Sequence, residues 1–269
     1  MNRRPIGVFD SGIGGLTVVR ELIRQLPHES LLYFGDTARV PYGNKSPETV
    51  RRYGREILEF LRSRDVKLVV VACNTVSAHA LDDLRKVAPV QVEGVIEPGA
   101  RAAVAASRGG RIGVIGTAGT VASGAYTRAI EAAAGGRAQV ASQACPLFVP
   151  LVEEGWLDHA ATRLIAEEYL APLRAHDIDT LVLGCTHYPL LKPLLASLLG
   201  PSIALIDSAE QTAAAVSREL ARSTLHAPAT ATGHVHFVVS DDPKRFVKVG
   251  KMFLGERVKD VELKVIGEG

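Results

Sequence analysis

Two cysteines carry the sharpest chemical signal in this chain. Each ends a short apolar run and precedes amide or hydroxyl side chains: Val70-Val71-Ala72 leads into Cys73-Asn74-Thr75, and Val182-Leu183-Gly184 leads into Cys185-Thr186-His187. The pattern predicts a thiol at the end of a strand and the start of a helix, where the helix N-terminus favours the thiolate. Two such thiols on opposite sides of one small substrate can take a proton from one face of a carbon and return one to the other. A dithiol–disulfide couple is the competing use, but neither cysteine has a close partner in sequence. Cys145, within Ala144-Cys145-Pro146-Leu147-Phe148, sits among apolar residues and reads as a packed small side chain.

Other polar residues fall at the ends of strand-like runs, among them Asp10-Ser11, Asp36-Thr37 and Thr117. The turn Ser11-Gly12-Ile13-Gly14-Gly15 invites a nucleotide reading, but Thr17 stands where the dinucleotide fingerprint needs its third glycine. No Gly-Lys-Ser/Thr ending of a P-loop follows either. Its glycines are expected to let the backbone approach a small anion such as a carboxylate. Cys185-Thr186-His187 and His234-Val235-His236 raise a metal site, yet zinc needs three or four ligands at workable spacing, so no metal is expected. Of the nine lysines only Lys45 lies in a strand-end loop. A Schiff-base lysine is therefore hard to find, and pyridoxal phosphate is not supported.

Hydrophobic residues make up 47% and charged residues 22% of the 269, the balance of an ordinary globular protein. Thirty-one Lys and Arg against 29 Asp and Glu leave a net charge of +2, which argues against a nucleic-acid partner. No apolar run reaches the roughly 18 residues of a membrane span, and Met1-Asn2-Arg3-Arg4-Pro5 leads straight into a strand-like run. Neither a membrane segment nor a signal peptide is expected. An odd count of three cysteines makes no disulfide framework, and the chain reads as a reduced, cytoplasmic protein.

The elements that must position the thiols are short apolar runs alternating with helical patterns. Strands are predicted at Ile6–Phe9, Leu31–Phe34, Leu68–Ala72, Val92–Ile96, Ile112–Ile115, Gln139–Ser142, Leu181–Leu183 and Ile203–Ile206. Several are apolar without alternation, as expected when helices cover both sheet faces. Helices are predicted at Val50–Leu61, capped by Ser46-Pro47-Glu48, and at Ala78–Val87, Ser123–Ala134, His159–Ala175 and Ser208–Arg222. This alternation is the signature of an α/β fold with mostly parallel sheets.

The order of the runs also repeats. Ile6-Gly7-Val8 recurs as Ile112-Gly113-Val114, the Cys73 block as the Cys185 block, and Val95-Ile96-Glu97 as Leu205-Ile206-Asp207. Three matches in the same order predict two pseudo-symmetric α/β domains with a cleft between them. After the loop Ser223–Gly233, His236–Val239, Pro243–Leu254 and Val261–Val265 add a β-α-β tail without a counterpart.

These blocks carry a resemblance. Phe9-Asp10-Ser11-Gly12-Ile13-Gly14-Gly15, Gly35-Asp36-Thr37 through Pro41-Tyr42-Gly43, Ala72-Cys73-Asn74-Thr75, Val95-Ile96-Glu97-Pro98-Gly99-Ala100 and Gly184-Cys185-Thr186-His187-Tyr188-Pro189-Leu190 are similar to those of the glutamate racemases. Aspartate and hydantoin racemases share the two-cysteine plan, and a racemase of that kind remains the alternative. From another class, a two-lobed small-ligand binding module has a similar outline. The resemblance implies conversion of L-glutamate to D-glutamate for peptidoglycan, without a cofactor. It also implies that the tail returns to the first half, so the expected domains are 1–97 plus 207–269 for the first and 98–206 for the second. It assigns Cys73 and Cys185 as the two bases, Asp10 as helper of Cys73, and Glu153 and His187 as helpers of Cys185. Substrate contacts carry over to Asp10, Ser11, Tyr42, Gly43, Asn74, Thr75, Thr186 and His187, with Thr117 as a further carboxylate contact. The small molecule glutamate and a second copy of the chain, in a homodimer, are the partners implied.

Overall fold

The computed structural model describes residues 2–267. Ten strands form two sheets, and every strand pairing among the described residues is parallel. The strands are β1 (Ile6–Asp10), β2 (Leu31–Gly35), β3 (Leu68–Val71), β4 (Val92–Gly94), β5 (Arg111–Gly116), β6 (Gln139–Ala144), β7 (Thr180–Gly184), β8 (Ala204–Asp207), β9 (Val235–Val239) and β10 (Glu262–Leu263). The first sheet runs β10-β9-β2-β1-β3-β4 and the second β6-β5-β7-β8. The order β2-β1-β3-β4 is thus repeated as β6-β5-β7-β8, and the tail extends the first sheet beyond β2.

The repeated Ile-Gly-Val run has a packing cause. A Cβ on Gly7 would lie 3.1 Å from Val66, and one on Gly113 would lie 2.7 Å from Ile178. Each of those apolar residues follows an aspartate in the left-handed region, Asp65 (φ 51°) and Asp177 (φ 48°). Both halves therefore turn into their third strand by the same device, an aspartate in the left-handed region followed by an aliphatic side chain that drops onto a bare glycine.

The apolar residues of β1, β2, β3 and β7 are almost wholly buried, as continuous hydrophobic runs between helices require. Ile6, Val8, Leu31 and Tyr33 on one face of the first sheet share a core with Ile112, Val114, Leu181 and Leu183 of the second. Phe9, Phe34, Val69 and Val71, on the opposite face, pack under the helix Pro47–Ser63. That helix begins as its sequence predicts: the Ser46 hydroxyl accepts from the Thr49 N–H at 3.3 Å, with Pro47 at its first position.

Several element boundaries differ from the sequence reading. The strand expected at Val92–Ile96 stops at Gly94, and Ile96 opens the helix Ile96–Ala106. Pro98 in its first turn is tolerated because the N–H it lacks would have no partner there. The helix expected at Ala78–Val87 starts at Asn74 and breaks at Ala80 into Asn74–His79 and Leu81–Val87. The helices Leu16–Gln25, Phe148–Glu153 and Lys192–Leu199 were not apparent in sequence. Glycine or proline at or near their starts hides the helical pattern.

Candidate active site

The carboxyl ends of β1, β3, β5 and β7 converge on a cavity of about 320 Å³. Ser11, Tyr42, Gly43, Cys73, Asn74, Thr75, Thr117, Glu153, Cys185, Thr186 and His187 all line it, and so do Val40, Pro41, Pro146, Val149 and Pro150. The two thiols come from corresponding places, Cys73 just past the end of β3 and Cys185 directly after β7. Topology thus delivers one sulfur from each sheet to a single cavity.

Cys73 caps the helix Asn74–His79, and its sulfur donates to the Ser11 hydroxyl at 3.4 Å. The thiolate that the sequence led us to expect here is not favoured. Burial and the charge of Asp10 push the Cys73 thiol up to about 12, and the Ser11 contact offsets only part of this. A helix of six residues supplies too little dipole to compensate for a fully desolvated sulfur.

Cys185 has different company. Its sulfur lies 3.9 Å from His187 Nδ1, and His187 Nε2 meets Glu153 Oε1 at 3.1 Å. Arg245 in turn donates to the other Glu153 oxygen at 3.0 Å. Burial alone would pull His187 down, but its hydrogen bonds to Cys185 and Glu153 outweigh that and raise it to about 10. Burial acts to raise Glu153, yet the His187 hydrogen bond and the nearby positive charges hold it below the usual carboxylate range. The phenyl ring of Phe253 meets the imidazole edge to face, with centroids 5.6 Å apart.

Asp10 is fully buried and is not among the residues lining the cavity. Its carboxylate accepts from the Gly12 N–H at 3.0 Å and from the Thr186 hydroxyl at 3.5 Å. Burial raises it above the ordinary carboxylate value, partly offset by His187 and by the N–H groups of Gly12 and Gly15. The glycine turn is also used differently from expectation. Of its three glycines only Gly12 faces the cavity; a Cβ on Gly14 would fall 2.3 Å from Thr186 Oγ1 and 2.4 Å from His187 Nδ1. The missing side chain makes room for protein groups of the other half, not for an anion.

Hydroxyls and amides furnish the rest. Thr75 Oγ1 lies 3.0 Å from Thr117 Oγ1 and 3.3 Å from Thr120 Oγ1, which joins the two halves across the cleft. Tyr42 is held by donating to Asp36, a buried carboxylate that also accepts from Ser240 at 2.8 Å and Arg39 at 2.7 Å. Sequence reasoning placed Asp36 at a strand end without giving it this supporting role, and it missed Thr120, Ser240 and Arg245. Ser240 and Arg245 reach Asp36 and Glu153 through contacts between distant segments, whereas Asp36 and Thr120 lie six and three residues from Tyr42 and Thr117. Cys145 is fully buried and packs in the core. His234 and His236 pair with Ser30 and Glu262. Among the described residues, no group of three or more His, Cys, Asp or Glu side chains is placed to hold a metal ion.

With this geometry in place, relatives are informative. A family profile described as Asp/Glu/Hydantoin racemase matches residues 6–216. The chain belongs to the Asp/Glu/hydantoin racemase family. Within it, the chain is similar to the glutamate racemase of Geobacter metallireducens, with 54% identity over 258 residues, 96% of this chain and 95% of that one. In structure it resembles the Bacillus anthracis glutamate racemase isoform RacE1, with a TM-score of 0.93 and 40% identity over 100% of this chain and 99% of that one. The Francisella tularensis glutamate racemase in complex with D-glutamate gives a TM-score of 0.91 at 38% identity, covering 98% of each chain. These family members match the present chain across both sheets and the tail. No helix among its described residues is long and apolar enough to cross a membrane.

Proposed function

We propose that this chain racemises glutamate without a cofactor, by proton transfer between Cys73 and Cys185. The observation that carries the reading is the arrival of two thiols, from equivalent strand ends of two repeated sheets, at one cavity. One thiolate removes the α-proton as the C–H bond breaks, leaving a planar carbanion. The thiol opposite delivers its proton to the other face, and the roles reverse for the next enantiomer. As the family resemblance implies, Cys185 abstracts from L-glutamate and Cys73 from D-glutamate.

The neighbours suit that division. An imidazolium at His187, held by Glu153, stabilises negative charge on Cys185, whereas the buried Cys73 is a proton donor at neutral pH. Ser11, Asn74, Thr75, Thr117 and the Tyr42-Gly43 backbone offer neutral donors for the two carboxylates. Asp10 acts from behind the wall: by accepting the Thr186 O–H it turns the hydroxyl lone pairs toward the substrate ammonium. We assign residues 1–97 and 207–269 to one lobe and 98–206 to the other, with the cleft between them as the site.

D-glutamate suits a peptidoglycan-building pathway, and a cytoplasmic location is part of the same proposal. A homodimer is the assembly we propose, and exposed Leu147, Trp156 and Met252 are available for it. Incubation with L-glutamate in D₂O, with no added cofactor, is expected to put deuterium at the α-carbon and yield D-glutamate. Aspartate turnover at a comparable kcat/KM would move the chain to the aspartate branch. Binding without exchange would favour a two-lobed binding module.

A further inference from the structure

Asn74 presents an unresolved polar account. The residue is 2% exposed, lines the cavity, and its side-chain nitrogen has no hydrogen-bond partner in the protein. An orphaned, buried NH₂ is costly unless a ligand acceptor meets it. The amide oxygen, by contrast, is engaged from the opposite half: the Tyr126 hydroxyl donates to Asn74 Oδ1 at 2.7 Å. Tyr126 lies on the helix Ala125–Ala134 and is itself 2% exposed.

We propose that Tyr126 is a positioning residue that sets the Asn74 amide with its NH₂ toward the cavity, and so tunes the site for a substrate carboxylate. The two orientations of an amide are nearly identical in shape, so only a hydrogen-bond partner can select between them. A phenol that must donate makes that selection. Burial raises the Tyr126 phenol above its ordinary value, so it stays an O–H group over the working pH range. The ring is held in place from below: a Cβ on Gly184 would stand 2.9 Å from Tyr126 Cε2, so only glycine fits before Cys185. Because Asn74 and Tyr126 belong to different halves, the amide is oriented only when the halves are packed together. Without the phenol O–H the amide is free to turn its oxygen toward the substrate, where it would repel a carboxylate.

The inference rests on the glutamate reading above, and the experiment separates the two. D₂O exchange and D-glutamate affinity by calorimetry are measured first on the wild-type protein; absence of α-deuteration would sink the racemase reading alone. In Tyr126→Phe, which keeps the ring, KM and the calorimetric Kd are expected to rise about 2- to 12-fold, as for a lost neutral hydrogen bond. The kcat should change much less. Asn74→Ala should show a similar rise, and adding Tyr126→Phe to it should cause no further one. An unchanged Kd in Tyr126→Phe, or multiplying effects in the double variant, would each overturn the proposal.

Discussion

The asymmetry between the two thiols can be tested without any turnover, through the pH dependence of Cys73 alkylation. Burial and Asp10 move this thiol from an ordinary 9.0 to about 12. At pH 8 such a group exposes roughly 10³-fold less thiolate than an unperturbed cysteine, and alkylation proceeds through the thiolate. Steric shielding slows the reaction at every pH but leaves its midpoint where ionisation puts it, so the midpoint is the diagnostic quantity. The three cysteines fall in separate tryptic peptides, 68–85, 138–163 and 175–218, which lets mass spectrometry follow each one after iodoacetamide treatment. The Cys73 profile is expected to rise only at the alkaline limit of the folded protein and to return to the ordinary range in urea. Asp10→Asn should lower the midpoint without normalising it, because burial is the larger cause. A folded-state midpoint at or below 9 would refute the reasoning, and with it the assignment of Cys73 as the resting proton donor.

Three other perturbations follow from the same contacts. His187 is raised in the folded state, so its contribution to stability should be complete below its unfolded value near 6.5 and fade as pH climbs through about 10; urea midpoints of wild type and His187→Asn should therefore converge over that window. Gly14→Ala drives a methyl into Thr186 and His187, and a displacement of about 1 Å at such groups typically costs about 10²-fold in kcat, while stability assays should show the protein still folded. Lys67 and Glu29 form a fully buried ion pair that also ties down the Asn2 and Leu225 carbonyls, so Lys67→Met should cost about 3–5 kcal/mol in urea unfolding, with much of it recovered in Lys67→Met/Glu29→Leu. Loss of under about 1 kcal/mol would show that the pair contributes little.

Enantiomers have equal free energy, so any variant of a racemase must keep the same kcat/KM in both directions. With His187 proposed as helper of Cys185 and Asp10 as helper of Cys73, loss of either is expected to appear as opposite changes in primary isotope effects for L- and D-substrate. His187→Asn and Asp10→Asn are the informative pair, since general acid–base assistance is typically worth about 10²–10⁴-fold.

Local sequence was enough to read the parallel α/β architecture, the duplication and the two thiols. Strand interiors such as Leu68–Val71 and Thr180–Gly184 are apolar because both faces are covered, and their ends are polar because loops there meet solvent or substrate. That contrast is written in consecutive residues. The cap at Ser46 and the packing of Cys145 are equally local. Short helices led by glycine or proline were less legible, because those residues mask the helical period.

What only the tertiary structure decided concerns groups brought together from distant segments. The ionisation of Cys73 depends on burial depth and on Asp10, neither visible in Ala72-Cys73-Asn74, and burial overrode the helix-terminus effect that the local pattern suggested. The family resemblance implies a substrate contact for Asp10, yet the residue is buried against Thr186 and is not part of the cavity lining. Gly14 is bare for the sake of Thr186 and His187, more than 170 residues away. Arg245 and Tyr126 lie in helices with no motif of their own, and each acts on a residue of the opposite half. Residue type and spacing specify which chemistry is available; desolvation, charge proximity and hydrogen-bond direction are set by three-dimensional neighbours.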